Sequence, residues 1–85
     1  YSLKQNYPNP FNPVTFIEFS IPEPGYVKMS IHNSIGREVE VILDRLMQPG
    51  IYRSQFDGSA LSSGVYFYTI QGTNYKETKR LILIK

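Results

Sequence analysis

One histidine, His32, and seven Asp or Glu residues carry what acid–base capacity this 85-residue chain has near neutral pH. His32 ends the run Lys28-Met29-Ser30-Ile31-His32. Its place in that alternation turns it outward, with no neighbouring partner to make it a base or a ligand. The carboxylates are scattered, and no pair has a recognised metal-ligand spacing. A glycosidase needs two carboxylates facing each other in a cleft, and a domain this small has little room for one. Asp57-Gly58-Ser59 begins like a calcium loop, but the further acidic ligands are missing, so Asp57 reads as a turn former. Ser34, Ser62 and Ser63 lack a Gly-x-Ser-x-Gly setting and an adjacent base. No glycine-rich phosphate loop leads into a helix. The absence of cysteine excludes disulfides, thiolate metal sites and thiol nucleophiles. The residues therefore read as a non-enzyme that needs neither metal nor cofactor.

Binding is the remaining class. The net charge of +2 is mild and forms no clustered basic face, which argues against nucleic acid. No run of about 18 apolar residues exists to insert in a membrane. Seven tyrosines with no tryptophan invite one alternative. Tyr52, Tyr66 and Tyr68 on one exposed face would form a ladder for sugar rings, as in a carbohydrate-binding module of a polysaccharide-degrading enzyme. The plainer reading keeps their rings inside half-buried strands and their hydroxyls wet. Lys76, Lys79, Arg80 and Lys85 crowd the final ten residues. Lysines protect an edge strand from aggregation, and an apolar-basic terminal strand also offers another protein an address.

These residues must be held by strands. Gln5-Asn6-Tyr7-Pro8-Asn9-Pro10-Phe11-Asn12-Pro13 places three prolines within six residues, which excludes a helix. It reads as a stiff strap over residues 1–13, with Tyr7 and Phe11 as anchors. In Val14 to Ile21, residues Thr15, Ile17, Phe19 and Ile21 share one face, the period-two signature of a strand with one buried side. Tyr26 to Asn33 repeats that pattern with Val27, Met29 and Ile31, and the pair reads as a hairpin around Pro22-Glu23-Pro24-Gly25. Asn33-Ser34-Ile35-Gly36 reads as a turn with Gly36 at positive φ. The consecutive Val41-Ile42-Leu43 break the next alternation, as a bulge would. Asp44 to Gly50 reads as a loop whose Leu46 and Met47 cap the core. Ile51–Phe56, Val65–Ile70 and Tyr75–Lys85 complete six strands, the second of these central because both its faces are large. Leu3–Asn6 is a possible seventh. Many short strands and Gly/Pro turns predict one domain over residues 1–85, a small immunoglobulin-like antiparallel β-sandwich of six to seven strands.

Four segments in order then resemble one family. The opening Leu3-x-Gln5-Asn6-Tyr7-Pro8-Asn9-Pro10-Phe11-Asn12-Pro13-x-Thr15-x-Ile17-x-Phe19-x-Ile21-Pro22 is similar to that of C-terminal sorting domains of the type IX (Por) secretion system. Val27-x-Met29-x-Ile31-x-Asn33-x-Ile35-Gly36-x-Glu38-Val39 follows the family pattern. So do Gly50, Phe56-Asp57-Gly58 and Leu61-x-Ser63-Gly64-Val65-Tyr66-Phe67-Tyr68. Lys79-Arg80-Leu81-Ile82-Leu83-Ile84-Lys85 looks like its terminus. Phe56 stands where a tryptophan is frequent, and His32 where an aromatic is frequent.

The resemblance implies a tag without catalysis, at the end of a larger exported cargo. Its partners would be outer-membrane secretion machinery and a sortase-like peptidase that cuts ahead of the domain. Its route would run through the periplasm to the cell surface or the medium, with the cargo released or joined to surface lipopolysaccharide. The positions matching the recognised segments are Gly64, Val65, Tyr66, Lys79, Arg80, Leu81, Ile82, Leu83, Ile84 and Lys85. Tyr7, Pro8, Asn9, Pro10, Phe11, Asn12 and Pro13 match the structural strap. Recognition is expected by strand addition at an open edge of the last strand. The first residues lack a basic segment followed by an apolar run, so an export signal is expected upstream of Tyr1.

Overall fold

The computed structural model describes residues 1–85. It contains seven strands: β1 (Ser2–Leu3), β2 (Val14–Ile21), β3 (Gly25–Asn33), β4 (Glu38–Met47), β5 (Gly50–Asp57), β6 (Gly64–Gln71) and β7 (Lys76–Leu83). They form two antiparallel sheets, one ordered β1-β2-β5 and the other β4-β3-β6-β7. There is no helix.

Period-two patterning produces the sandwich directly. Ile17, Phe19 and Ile21 of β2 face Val27, Met29 and Ile31 of β3, together with Tyr68, Ile70, Leu81 and Leu83. All of these are nearly inaccessible to solvent. Each buried aliphatic or aromatic side chain contributes about 1.5–3 kcal/mol through removal from water.

Three local expectations change. First, β2 and β3 are not a hairpin. β2 pairs with β1 and β5, whereas β3 pairs with β4 and β6, so the chain crosses between sheets at Pro22-Glu23-Pro24. The two prolines there offer no N–H groups to close a tight hairpin. Each strand's single apolar face then meets the other across the core.

Second, β4 continues to Met47, with Val27 opposite Arg45 and Tyr26 opposite Leu46. Leu46 therefore lies on the outer face, 75% exposed, and only Met47 caps the core. The register shifts once between Met29 and Ser30 and again between Ile31 and His32, leaving Ile42 and Val39 as the extra residues. These bulges let Val39, Ile42 and Leu43 all pack on the core, which accounts for the lost alternation.

Third, the tyrosine ladder does not exist. Tyr66 and Tyr68 point into the core, and Tyr52 stacks on Phe19 in the other sheet with ring centroids 5.6 Å apart. Residue parity on β6 decides this: Tyr66, Tyr68 and Ile70 face inward, leaving Val65, Phe67 and Thr69 on the outer side.

Other expectations hold. β6 is central, between β3 and β7. Gly36 has φ 88°, closing the turn in which Asn33 Oδ1 accepts from the amides of Ile35 and Arg37. The seventh strand is β1, shorter and earlier than Leu3–Asn6.

Candidate functional site

The strap lies along the side of the sandwich where β2 and β7 come close, and it ties the two sheets together. The amide of Tyr7 donates to Phe16 O at 2.9 Å and Tyr7 O accepts from Phe16 N at 3.0 Å, which fastens the strap to β2. Four residues on it fastens to β7. Phe11 N donates to Ile82 O at 3.0 Å, and Phe11 O accepts from Ile84 N at 2.9 Å. Asn9 Oδ1 accepts from Ile82 N at 3.0 Å, and Gln5 Nε2 donates to Arg80 O at 2.6 Å. All three X-Pro bonds of the strap are cis.

The prolines fall where no donor is needed. Amides that must donate belong to Tyr7 and Phe11, while Pro8 and Pro13 serve through their carbonyls. Pro13 O accepts from Gly58 N at 2.8 Å. Asn6 supplies the internal anchor and is 2% exposed. Its side-chain amide donates to Thr15 Oγ1 at 3.1 Å and Pro8 O at 3.2 Å, and its Oδ1 accepts from Gln5 Nε2 at 2.7 Å. Its backbone amide donates to the Tyr68 hydroxyl at 2.9 Å, which in turn donates to Lys4 O at 2.7 Å. Burial pushes the Tyr68 phenol up to about 12; the hydrogen bond from Asn6 opposes the rise, and Glu77 adds to it.

Phe11 is the other anchor, 2% exposed and edge-on to Phe56 at 5.9 Å. Gly58 makes room for it: a Cβ there would lie 3.1 Å from Leu83 Cδ2 and 3.3 Å from Phe11 Cε2. Tyr7 is not an anchor, being 79% exposed. Its bridge to Phe16 aligns it with the outer face of β2, where Arg53 sits 4.0 Å over the Phe16 ring. Asn6 was missed as an anchor because apolar type was the only guide. Its position beside an X-Pro run, where carbonyls lack local donors, was the available signal.

The proposed recognition residues separate by burial. Tyr66, Leu81 and Leu83 belong to the core. Val65 is 40% exposed and Ile84 51% exposed; Gly64, Arg80 and Lys85 are also exposed, with Lys79 and Ile82 half-buried. Val65 lies opposite Ile82 and Phe67 opposite Arg80 on the outer face of the four-stranded sheet. Lys85 is drawn back toward the Asp57–Gly64 loop: its amide donates to Ser63 Oγ at 2.9 Å, and its ammonium to Ser59 O. In that loop Asp57 accepts from the Ser59 amide and hydroxyl, and these bonds hold its carboxyl below the usual range.

The edge of β7 is not open along its whole length. Backbone groups on one side of a strand alternate, so those of Lys76, Thr78, Arg80, Ile82 and Ile84 face away from β6. The strap occupies this edge from Arg80 O to Ile84 N. Strand addition over the last residues is therefore blocked by the chain itself, and only the stretch around Lys76 and Thr78 stays uncovered.

No group of three or more His, Cys, Asp or Glu residues converges to hold a metal ion. Glu38 pairs with Lys28 at 3.0 Å, and Glu18 with Lys4 at 2.8 Å. Both pairs are exposed, so solvent screening leaves them little net effect on stability.

Fold and surface together define a small all-β module: a sandwich of two antiparallel sheets tied together by an N-terminal strap. The chain belongs to the secretion system C-terminal sorting domain family, whose model matches residues 5–85; these are the sorting-signal domains of type IX secretion. No curated protein and no solved structure matches the chain.

Proposed function

We propose that the chain is the non-catalytic export address of a larger protein, read by outer-membrane secretion machinery after the cargo reaches the periplasm. A sortase-like peptidase then separates the cargo ahead of the domain, and the cargo is released or retained at the cell surface. The family match over residues 5–85 carries this reading.

The contact residues we assign are those of the recognised segments that remain accessible: Gly64, Val65, Lys79, Arg80, Ile82, Ile84 and Lys85. Tyr66, Leu81 and Leu83 act indirectly, by packing beneath them. Because the strap closes the terminal part of the β7 edge, the receptor reads the accessible side chains of β6 and β7 rather than main chain over Arg80–Ile84. A basic Arg80 beside apolar Val65, Ile82 and Ile84 offers both steering and burial to a partner surface.

The test is a cargo fused upstream of the chain in a host with a type IX system. Arg80→Glu with Ile84→Asp changes only accessible side chains. The expected result is a folded cargo held in the periplasm. Undiminished secretion of this fusion would overturn the assignment of contacts, and undiminished secretion after removal of the whole chain would overturn the function.

A further inference from the structure

The outer face of β3, β6 and β7 carries a trough lined by none of the residues assigned above as receptor contacts. Register alone builds it. Three rows cross these strands: His32-Phe67-Arg80, Ser30-Thr69-Thr78 and Lys28-Gln71-Lys76. The middle row is made of short hydroxyl residues and the flanking rows of longer side chains, so a channel bounded by rows four residues apart along each strand runs across the strands, with Arg80 outside its lining. The resulting cavity is about 430 Å³, and Phe67 is its single hydrophobic wall residue. That size falls within the range of small-ligand sites.

The floor has hydrogen-bonding capacity to spare. Thr69 and Thr78 pair with each other at 2.8 Å. Ser30 is only 5% exposed, and its hydroxyl bonds to no group of the chain. On the walls, Glu38 holds Lys28 at 3.0 Å, while Lys76 has no carboxylate partner. A ligand that suits this trough needs hydroxyls for the floor, an apolar ring face for Phe67 and an anionic group for the one free cation at the β7 end, Lys76. One free cation is too few for a polyphosphate or a nucleic-acid strand.

We propose that this trough binds an acidic saccharide, with a sugar ring against Phe67 and its carboxylate at Lys76. The site is independent of the export reading, since it asks only for the folded chain.

The experiment is an amide-shift titration of the 85-residue chain with oligogalacturonate, and with the same oligomer methyl-esterified. Shifts are expected at Ser30, Phe67, Thr69 and Thr78, with affinity about tenfold weaker for the ester, the loss of one charge-assisted hydrogen bond. Lys76→Gln, a surface change, is expected to weaken the acidic oligomer by about the same factor and leave the ester unaffected. Phe67→Ala, once its spectrum shows the native fold, weakens both. Lys4→Gln on the opposite sheet changes neither. The proposal is overturned if no shifts appear up to the ligand's solubility limit, or if they spread over all cationic residues. Equal affinity for acid and ester, or for Lys76→Gln and the parent, overturns it as well.

Discussion

Phe11 runs parallel to Leu83 and clasps the residues on either side of it, donating to Ile82 O at 3.0 Å and accepting from Ile84 N at 2.9 Å. The beginning of the domain thus closes the strand that ends it. A segment 72 positions away in sequence does what a neighbouring strand would do, and its ring fills the end of the core.

Phe11→Ala is expected to destabilise the domain by about 3–5 kcal/mol, the range for emptying a buried aromatic site. Urea unfolding checks this. Tyr7→Ala, which removes a side chain of similar size from the same strap, is expected to fall within about 0.5 kcal/mol of the parent. Equal losses would show that the strap is held by both aromatics.

Gly58→Ala places a methyl 3.1 Å from Leu83 and 3.3 Å from Phe11. We expect a loss of about 1–3 kcal/mol from overpacking. Ser59→Ala, one residue on, keeps the packing and removes only the hydroxyl bond to Asp57. Thermal unfolding of the two variants separates crowding from loop capping.

Parity on β7 predicts two phenotypes from adjacent residues. Leu81→Ala is expected to cost about 2–5 kcal/mol and to lower secretion through instability. Arg80→Glu with Ile84→Asp is expected to leave the unfolding midpoint close to the parent's and still abolish secretion. Truncation of Leu81 to Lys85 also strands the cargo, but it removes core and contacts together, so the paired substitutions are the sharper measurement.

The Tyr68 phenol sets an alkaline limit. Its pKa is raised from the ordinary 10.0 to about 12. The folded state therefore holds this proton more tightly than the unfolded chain. The resulting stabilisation is complete below about pH 10 and disappears as pH rises toward about 12. Tyr68→Phe is expected to be less stable at neutral pH by about 1–3 kcal/mol, because Asn6 N and Lys4 O lose their partner. Its unfolding midpoint is also expected to fall less steeply above pH 10, a residual slope coming from Tyr75, whose burial raises its pKa in the same direction. Parallel slopes for parent and variant would refute the assignment.

Much of the molecule was legible in its residues. Alternation in Val14–Ile21 named four inward residues, all buried in the structure. Consecutive Val41-Ile42-Leu43 announced a bulge, and the Asn33–Gly36 turn followed from its composition. The candidate site was legible only as a set of segments. The family resemblance singled out ten positions, but it took the structure to separate Tyr66, Leu81 and Leu83 from the accessible residues.

What the sequence determined by itself was everything that depends on neighbours a few residues apart: strand faces, turns, the non-helical strap and the family pattern. Partner choice depends on contacts between residues far apart, and local propensity is silent about it. Only the tertiary structure decided that β2 and β3 sit in opposite sheets, that Asn6 rather than Tyr7 anchors the strap, and that the strap seals the edge of β7. The physical reason is that a strand's unpaired amides and carbonyls accept any extended segment that reaches them, and which segment reaches them is settled by burying both sheets' apolar faces at once.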